Sequence, residues 1–514
     1  KKKKNEQPQR LDLRDIPLKR RQVVMTTGSH HYQTYWVDGA DKFGRLQQTL
    51  PLVYLLKDQR WIPREAAFMR PAGGDHFITQ WNNHCIKCHS TGGVPGLIAD
   101  TNEFDTRVGE LGIACEACHG PGDKHIAANR NPLRRFDHHL SGRSDATIVN
   151  PSKLDHRASS QICGQCHGVF VQSGDYGMNY AFEGIAYRPG DDLFKTRYYI
   201  QHPLNDPSPV REKDLRDNPE FFRERWWDDG TMLAGGREFT AMSVTGCYLR
   251  GEISCASCHS MHDSPPEDQL KPKMDTVAAC TQCHDQAKYT SEIESHTFHA
   301  TDSTGSDCLN CHMPRTSYAL FDAIRNHQIS SPNVRSSAQF GVPNACNLCH
   351  LDQTLQWTQT HLMDWHGHAE LPLDQDQRST SAALLWLLKG DAAQRAISAW
   401  HFGWEPAQQT SGRNWLAPSL SRLLADPYGV VRYIANRSLQ ALPGYADFAY
   451  DFLATENELE QQAQAAKKLW RQNRSAPTDR TGEHVGIDEN GSLLEGKIER
   501  LLRQRDDRPV TIKE

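Results

Sequence analysis

Read for apolar spacing alone, the chain changes character near residue 371. Beyond that point "STSAALLWLLKGDAAQRAISAW" carries apolar residues in the three-to-four rhythm of two amphipathic helices, broken at "KGD". "WLAPSLSRLLADPYGVVRYIANRSLQAL" repeats the form. Leu416, Leu420, Leu423 and Leu424 share one helical face, Asp426-Pro427 makes a turn, and Val430, Val431, Ile434, Ala435 and Leu439 form the next stripe. "TENELEQQAQAAKKLWRQNR" reads as a more polar helix and "SAPTDRTGEHVGIDENGS" as loop, with a short charged helix after it.

Helix, "DP" turn, helix is the form of a HEAT-type repeat. About two units are present, close to the minimum for a stacked core, so they are expected to lean on what precedes them. Residues 1–370 show no sustained period. The predicted fold is mainly α with much irregular loop: an N-terminal domain over 1–370 and a HEAT-like helical domain over 371–514. The segment 168–254, with "YYIQHPLNDPSPVREKD" and "RERWWDDG", is wide enough for a subdomain or an irregular excursion.

The cysteines explain the missing period. Cys-x-x-Cys-His occurs seven times: Cys85, Cys88 and His89; Cys115, Cys118 and His119; Cys163, Cys166 and His167; Cys255, Cys258 and His259; Cys280, Cys283 and His284; Cys308, Cys311 and His312; Cys346, Cys349 and His350. Chance at this composition gives about 0.02 copies. The motif is the attachment signature of c-type haem: each thiol adds to a porphyrin vinyl group, and the histidine becomes the proximal iron ligand. Zinc sites would not require a histidine after every second cysteine and would leave a seventh motif unpartnered. A thioredoxin-like pair occurs once per domain. Seven haems c are therefore expected. Successive motifs start 30, 48, 92, 25, 28 and 38 residues apart, which favours short helices in long loops. Of fifteen cysteines only Cys247 is left over; it reads as a small buried hydrophobe or as a thiolate near an iron.

Composition fits this picture. The chain has 514 residues, 38% apolar, with mean hydropathy −0.68, low for a globular chain unless porphyrin supplies part of the core. A net charge of −5 asks for neither nucleic acid nor an anionic membrane. The apolar runs "LPLVYLL" and "AALLWLL" are too short to span a bilayer. The opening "KKKKNEQPQRLDLR" shows no signal peptide; since covalent haem implies export, to the periplasm or cell surface, a mature or truncated form is expected. Its lysines read as a solvated tail, a stub after a membrane anchor, or a lipid-surface contact.

"CEACHGPGDKH", "CASCHSMH", "HTFHATDSTGSDCLNCHMPRTSY", "IRNHQISSP" and "PNACNLCHLDQTLQW" resemble a family of exported multihaem c-type cytochromes with doubled motifs and a C-terminal HEAT or TPR region. The N-terminal half is also similar to the tetrahaem cytochrome that accepts electrons in hydroxylamine oxidation. The resemblance covers most of the chain and implies electron transfer.

Eighteen histidines remain after the seven proximal ones, enough for a second imidazole on every iron, so six or seven six-coordinate haems are expected. His262 lies three residues after His259, with Cα atoms at most roughly 10 Å apart. That is too short to reach around one haem to its opposite face, so His262 should serve a neighbouring haem, as the resemblance also implies. His84 cannot cross its own haem either. His125, after "HGPGDK", is placed to turn onto an adjacent haem. His296, His299 and His327 match positions the resemblance implies as ligands. His30 and His31 supply one ligand between them, with His76 and His361 in reserve. His401 and His484 lie beyond the haem region and read as ordinary packing or surface residues.

Three functions are open. The first is a relay of mostly bis-histidine haems passing electrons between redox partner proteins, which could include other cytochromes in a complex; no catalytic residue is then expected. The second is a reductase or dehydrogenase of a small nitrogen or sulfur oxyanion at one open haem. The lysine that replaces the proximal histidine in pentahaem nitrite reductases is absent, Lys87 being an intervening residue. The third is a haem-carrying assembly module, and oligomerisation is compatible with all three.

Overall fold

The computed structural model describes residues 20–39, 45–71, 79–171, 174–208, 215, 218–318, 321–472 and 480–513. The N-terminal lysines and His76 lie outside them.

The chain enters through an element that the periodicity reading did not anticipate. Four antiparallel strands, β1 (Val23–Thr27), β2 (Tyr32–Asp38), β3 (Gln47–Leu55) and β4 (Arg60–Pro63), form a meander in sequence order. Thr26 faces Tyr35, Thr34 faces Val53, and Val53 faces Ile62. β-Branched and aromatic residues favour this pleated, half-buried surface. Gly28, at φ +89°, makes the first turn; a Cβ there would stand 2.3 Å from the Tyr32 carbonyl oxygen. Trp36 on β2 packs edge-on against Trp81 at 5.4 Å, and both join Ile86 and Tyr180 in a small cluster that fixes the entry to the first motif.

Beyond the sheet the expected short helices and loops appear, with small two-stranded ladders such as β5 (Arg315–Tyr318) against β6 (Asp322–Arg325). The C-terminal helices follow the predicted stripes. Ala382–Leu388, Ala392–Phe402, Ala417–Leu423 and Gly429–Gln440 bury Leu416, Leu420, Leu423, Leu424, Val430, Val431, Ile434, Ala435 and Leu439 almost completely. Each such leucine contributes about 1.5–3 kcal/mol. Between these helices the Arg395 guanidinium donates to Asp426 through Nε (2.7 Å) and Nη2 (3.1 Å), with both side chains out of solvent.

Packing does not break at residue 370. One hydrophobic core runs from Val53 and Ile62 through Trp226, Leu348 and Leu355 to Ile498 and Ile512. Polar bonds cross the same boundary: the Trp400 indole N–H donates to Asp322 (2.6 Å), Leu351 N to Ser411 Oγ (2.7 Å), and Ile512 N to the Met69 carbonyl (3.1 Å). The change at 371 is one of local structure. Among the described residues no helix is long and apolar enough to cross a membrane.

Candidate haem-binding site

The motif itself dictates a local geometry. Positions i, i+3 and i+4 share one face of a helix, so a single turn presents both thiols and the imidazole together. Short helices carry the motifs: Ile86–His89, Cys115–His119, His156–Gly164, Cys255–Cys258, Ala278–Thr281, Cys308–His312 and Ala345–Cys349. Where the histidine falls outside the assigned helix, its N–H still bonds the carbonyl of the first cysteine, at 3.0 Å for His167, 2.9 Å for His259 and His284, and 2.7 Å for His350. Asp307 and Asn344 cap two of these turns by accepting from Leu309 N and Asn347 N.

The seven turns converge on shared space. A cavity of about 2500 Å³ is lined by at least one cysteine of every motif, and by His167, His259, His284 and His312. A single small-ligand pocket is about 300–1,000 Å³. All fifteen cysteines are unpaired. Thiols of different motifs lie side by side: Cys88 by Cys166, Cys163 by Cys255, and Cys280 by Cys308, each pair close enough to perturb its partner's ionisation. Cys118 neighbours Cys163, Cys258 neighbours Cys283, and Cys311 neighbours both Cys346 and Cys349. In space the motifs therefore run first, third, fourth, fifth, sixth, seventh, with the second beside the third.

Four motif histidines face a second imidazole. Ring centroids lie 6.0 Å apart for His119 and His262, 6.2 Å for His259 and His327, 6.1 Å for His296 and His312, and 6.0 Å for His299 and His350. One first-row metal ion held by two imidazole nitrogens, each about 2 Å away, separates ring centroids by roughly 6 Å. Backbone carbonyls fix the tautomers: Nδ1 of His119 is 2.8 Å from Val149 O, that of His259 is 3.0 Å from Asp268 O, that of His312 is 2.8 Å from Ser330 O, and that of His299 is 2.6 Å from Thr297 O. Donating through Nδ1 leaves Nε2 with the lone pair a metal needs. Burial, helped by His299 and His361, draws His350 down to about 4, and burial also lowers His296 and His327. All three are thus neutral, the metal-binding form. The residues present fit covalently held haem. Among the described residues no three Cys, His, Asp or Glu side chains converge as a metal-ion cluster.

The remaining predicted residues are placed differently. The His262 ring stands against the second motif's histidine and not against its own. His125 Nδ1 lies 3.1 Å from Asp145 Oδ2 and 3.1 Å from the Asn129 amide nitrogen, with no motif histidine opposite among the described residues. His30 meets Ser29 Oγ at 3.1 Å in the β1–β2 turn, beside His31. His84 is exposed in the turn leading into the first motif, and Cys247 lines the large cavity close to Cys280. His361 lies tilted against Trp357 at 4.2 Å and edge-on to Trp365 at 4.7 Å. Four facing pairs, fewer than six or seven, stand among the described residues; His89, His167 and His284 have no imidazole at that span. His401 is not beyond the haem region. The Ala392–Phe402 helix carries it, fully buried, into the wall of a small cavity shared with Cys349, His350 and His361. His366, which lines the large cavity, carried no distinguishing signal in the sequence. Neither did Glu238, whose Oε2 is 2.8 Å from His167 Nδ1.

A family model for the doubled CXXCH motif matches residues 249–289, the fourth and fifth motifs. None of the curated proteins matches. Among solved structures, the crystal structure of the outer cell wall cytochrome OcwA aligns at 18% identity and a TM-score of 0.45, covering 80% of this chain and 85% of that one. That likeness is too distant to carry an argument about fold or function. The doubled-motif match, the repeated motif and the thiol-lined cavity together support a multihaem c-type cytochrome.

Proposed function

We propose that the chain is an electron relay carrying seven haems c, one on each motif, that passes electrons between redox partner proteins outside the cytoplasm. Bound haem would supply one-electron redox chemistry. The chain's part is to hold each group by two thiols and one imidazole, to place a second imidazole opposite, and to set neighbouring groups close together.

The observation that carries this reading is the set of four imidazole pairs at 6.0–6.2 Å. Two strong ligands keep an iron low-spin in both oxidation states, so it reorganises little on reduction; a catalytic site needs an exchangeable position instead. His262, His296, His299 and His327 are the proposed distal ligands. The adjacency of thiols along the third to seventh motifs is what a relay requires. Residues 371–514 are assigned as a HEAT-like helical layer that walls the seventh site and offers a face for docking in a larger complex.

A second reading, reduction of a small nitrogen or sulfur oxyanion, is favoured at His89, His167 or His284, which lack a facing imidazole among the described residues. The two separate on adding carbon monoxide, nitrite or hydroxylamine to the reduced protein while following the Soret band and high-spin EPR signal. The relay predicts no multi-electron turnover; stoichiometric binding with turnover establishes the reductase.

A further inference from the structure

The partners of Nδ1 divide the proximal histidines. His119, His259 and His312 each point Nδ1 at a neutral backbone carbonyl. His167 alone among the motif histidines points it at a carboxylate, Glu238 Oε2, at 2.8 Å, among the described residues. The contact is built. Glu238 Oε1 accepts from Gly236 N at 2.9 Å, which orients the carboxylate. The flanking segment is laced to the third motif: Phe239 N donates to His167 O at 3.0 Å, and Val169 N to Thr240 Oγ1 at 2.8 Å. The side chain is three-quarters out of solvent and lines the large cavity. This motif is also where the array branches, with Cys166 against Cys88, Cys163 against Cys255, and Cys118 nearby.

We infer that Glu238 is a positioning residue that lowers the reduction potential of the haem on Cys163 and Cys166, making the branch point of the relay more reducing than it would be without the carboxylate. Two effects act with one sign. A carboxylate acceptor makes the imidazole a stronger donor, which favours the ferric state over the ferrous. A fixed negative charge beside the site favours the more positive oxidation state by Coulomb attraction. Arg197 and Arg237 lie close by and oppose the second effect, so the substitution measures the contribution of Glu238 above their background.

The inference rests on haem being attached at the third motif. The test is a spectroelectrochemical titration of the full-length holoprotein with EPR, for wild type, Glu238→Gln and Glu238→Asp, after peptide mapping of haem on Cys163 and Cys166. Glu238→Gln keeps the shape and an acceptor but removes the charge. One reduction step should move upward by at least threefold in its equilibrium constant, about 28 mV for one electron. Glu238→Asp should move the same step less; if the Gln variant yields no holoprotein, the direction in the Asp variant decides. A Gln shift below threefold, a downward shift in either variant, or equal movement of all steps overturns the inference while leaving the relay intact. Absence of haem from Cys163 and Cys166 in the wild type overturns the seven-haem reading instead.

Discussion

Asp426→Ala removes one half of the buried ion pair between the C-terminal helices. In the wild type Asp426 accepts from Arg395 Nε, from Arg395 Nη2 and from Tyr428 N at 2.9 Å. The variant leaves a guanidinium whose residual partners are the carbonyls of Gly390 (2.8 Å) and Asp506 (3.4 Å), with its side chain only 1% exposed. An uncompensated buried charge costs about 3–5 kcal/mol when its partner is deleted. The affected Ala392–Phe402 helix also carries Gln394 onto the Gly341 carbonyl and His401 into the cavity beside Cys349 and His350, so its loosening should reach the seventh motif. Urea unfolding followed in parallel by far-UV circular dichroism and the Soret band should show the helical transition weakened by that amount. The Arg395→Met/Asp426→Leu double variant should recover most of the loss, because both charges are gone. A single-variant loss below about 1 kcal/mol would mean that Arg395 reaches water, and that this layer is not the dry core described here.

His262→Ala should leave every haem attached, through Cys115, Cys118 and His119, but turn one iron high-spin; added imidazole should reverse it, and an unchanged EPR spectrum would refute the pairing with His119. Truncation after residue 370 should perturb the seventh site, because His401 and Trp404 wall the small cavity beside Cys349 and His350; an unaltered haem spectrum in the truncated protein would contradict this. Asp376 is held below the usual aspartate range chiefly by its bond to Arg500 (2.7 Å), then by Lys389. Its folded pKa being depressed, its stabilisation is present above about pH 4 and lost as pH falls below, so Asp376→Asn should flatten the acid limb of the stability curve and leave a smaller difference from wild type at low pH.

What could be read from sequence is what short range determines. Both thiols and the imidazole of a motif lie within one turn, so their grouping needs no tertiary knowledge. Leu416 through Leu439 announced their burial by a 3.6-residue period, and the core contains every one. The β1–β4 meander leaves no helical stripe; its signal in "YQTYWV" and "TLPLVYL" is β-branched and aromatic content. The period changes at 370, while Leu348 and Leu355 before it share one hydrophobic cluster with the later helices, since burial depends on surfaces brought together and not on local periodicity. Facing imidazoles such as His119 with His262 are brought together only by the fold; their candidacy was visible, but not which motif each would meet. His401 illustrates the opposite error, a residue excluded by its distance along the chain and returned by packing. Glu238 and His167, 71 residues apart, meet through backbone bonds that no local pattern encodes.

The most direct measurement is the intact mass of the denatured protein from a host competent in haem attachment, with the heme-bearing peptides mapped. The account predicts the polypeptide mass plus seven haems, each on one of the seven cysteine pairs, with Cys247 unmodified. A population saturating at six or fewer, or haem released on denaturation, would contradict it.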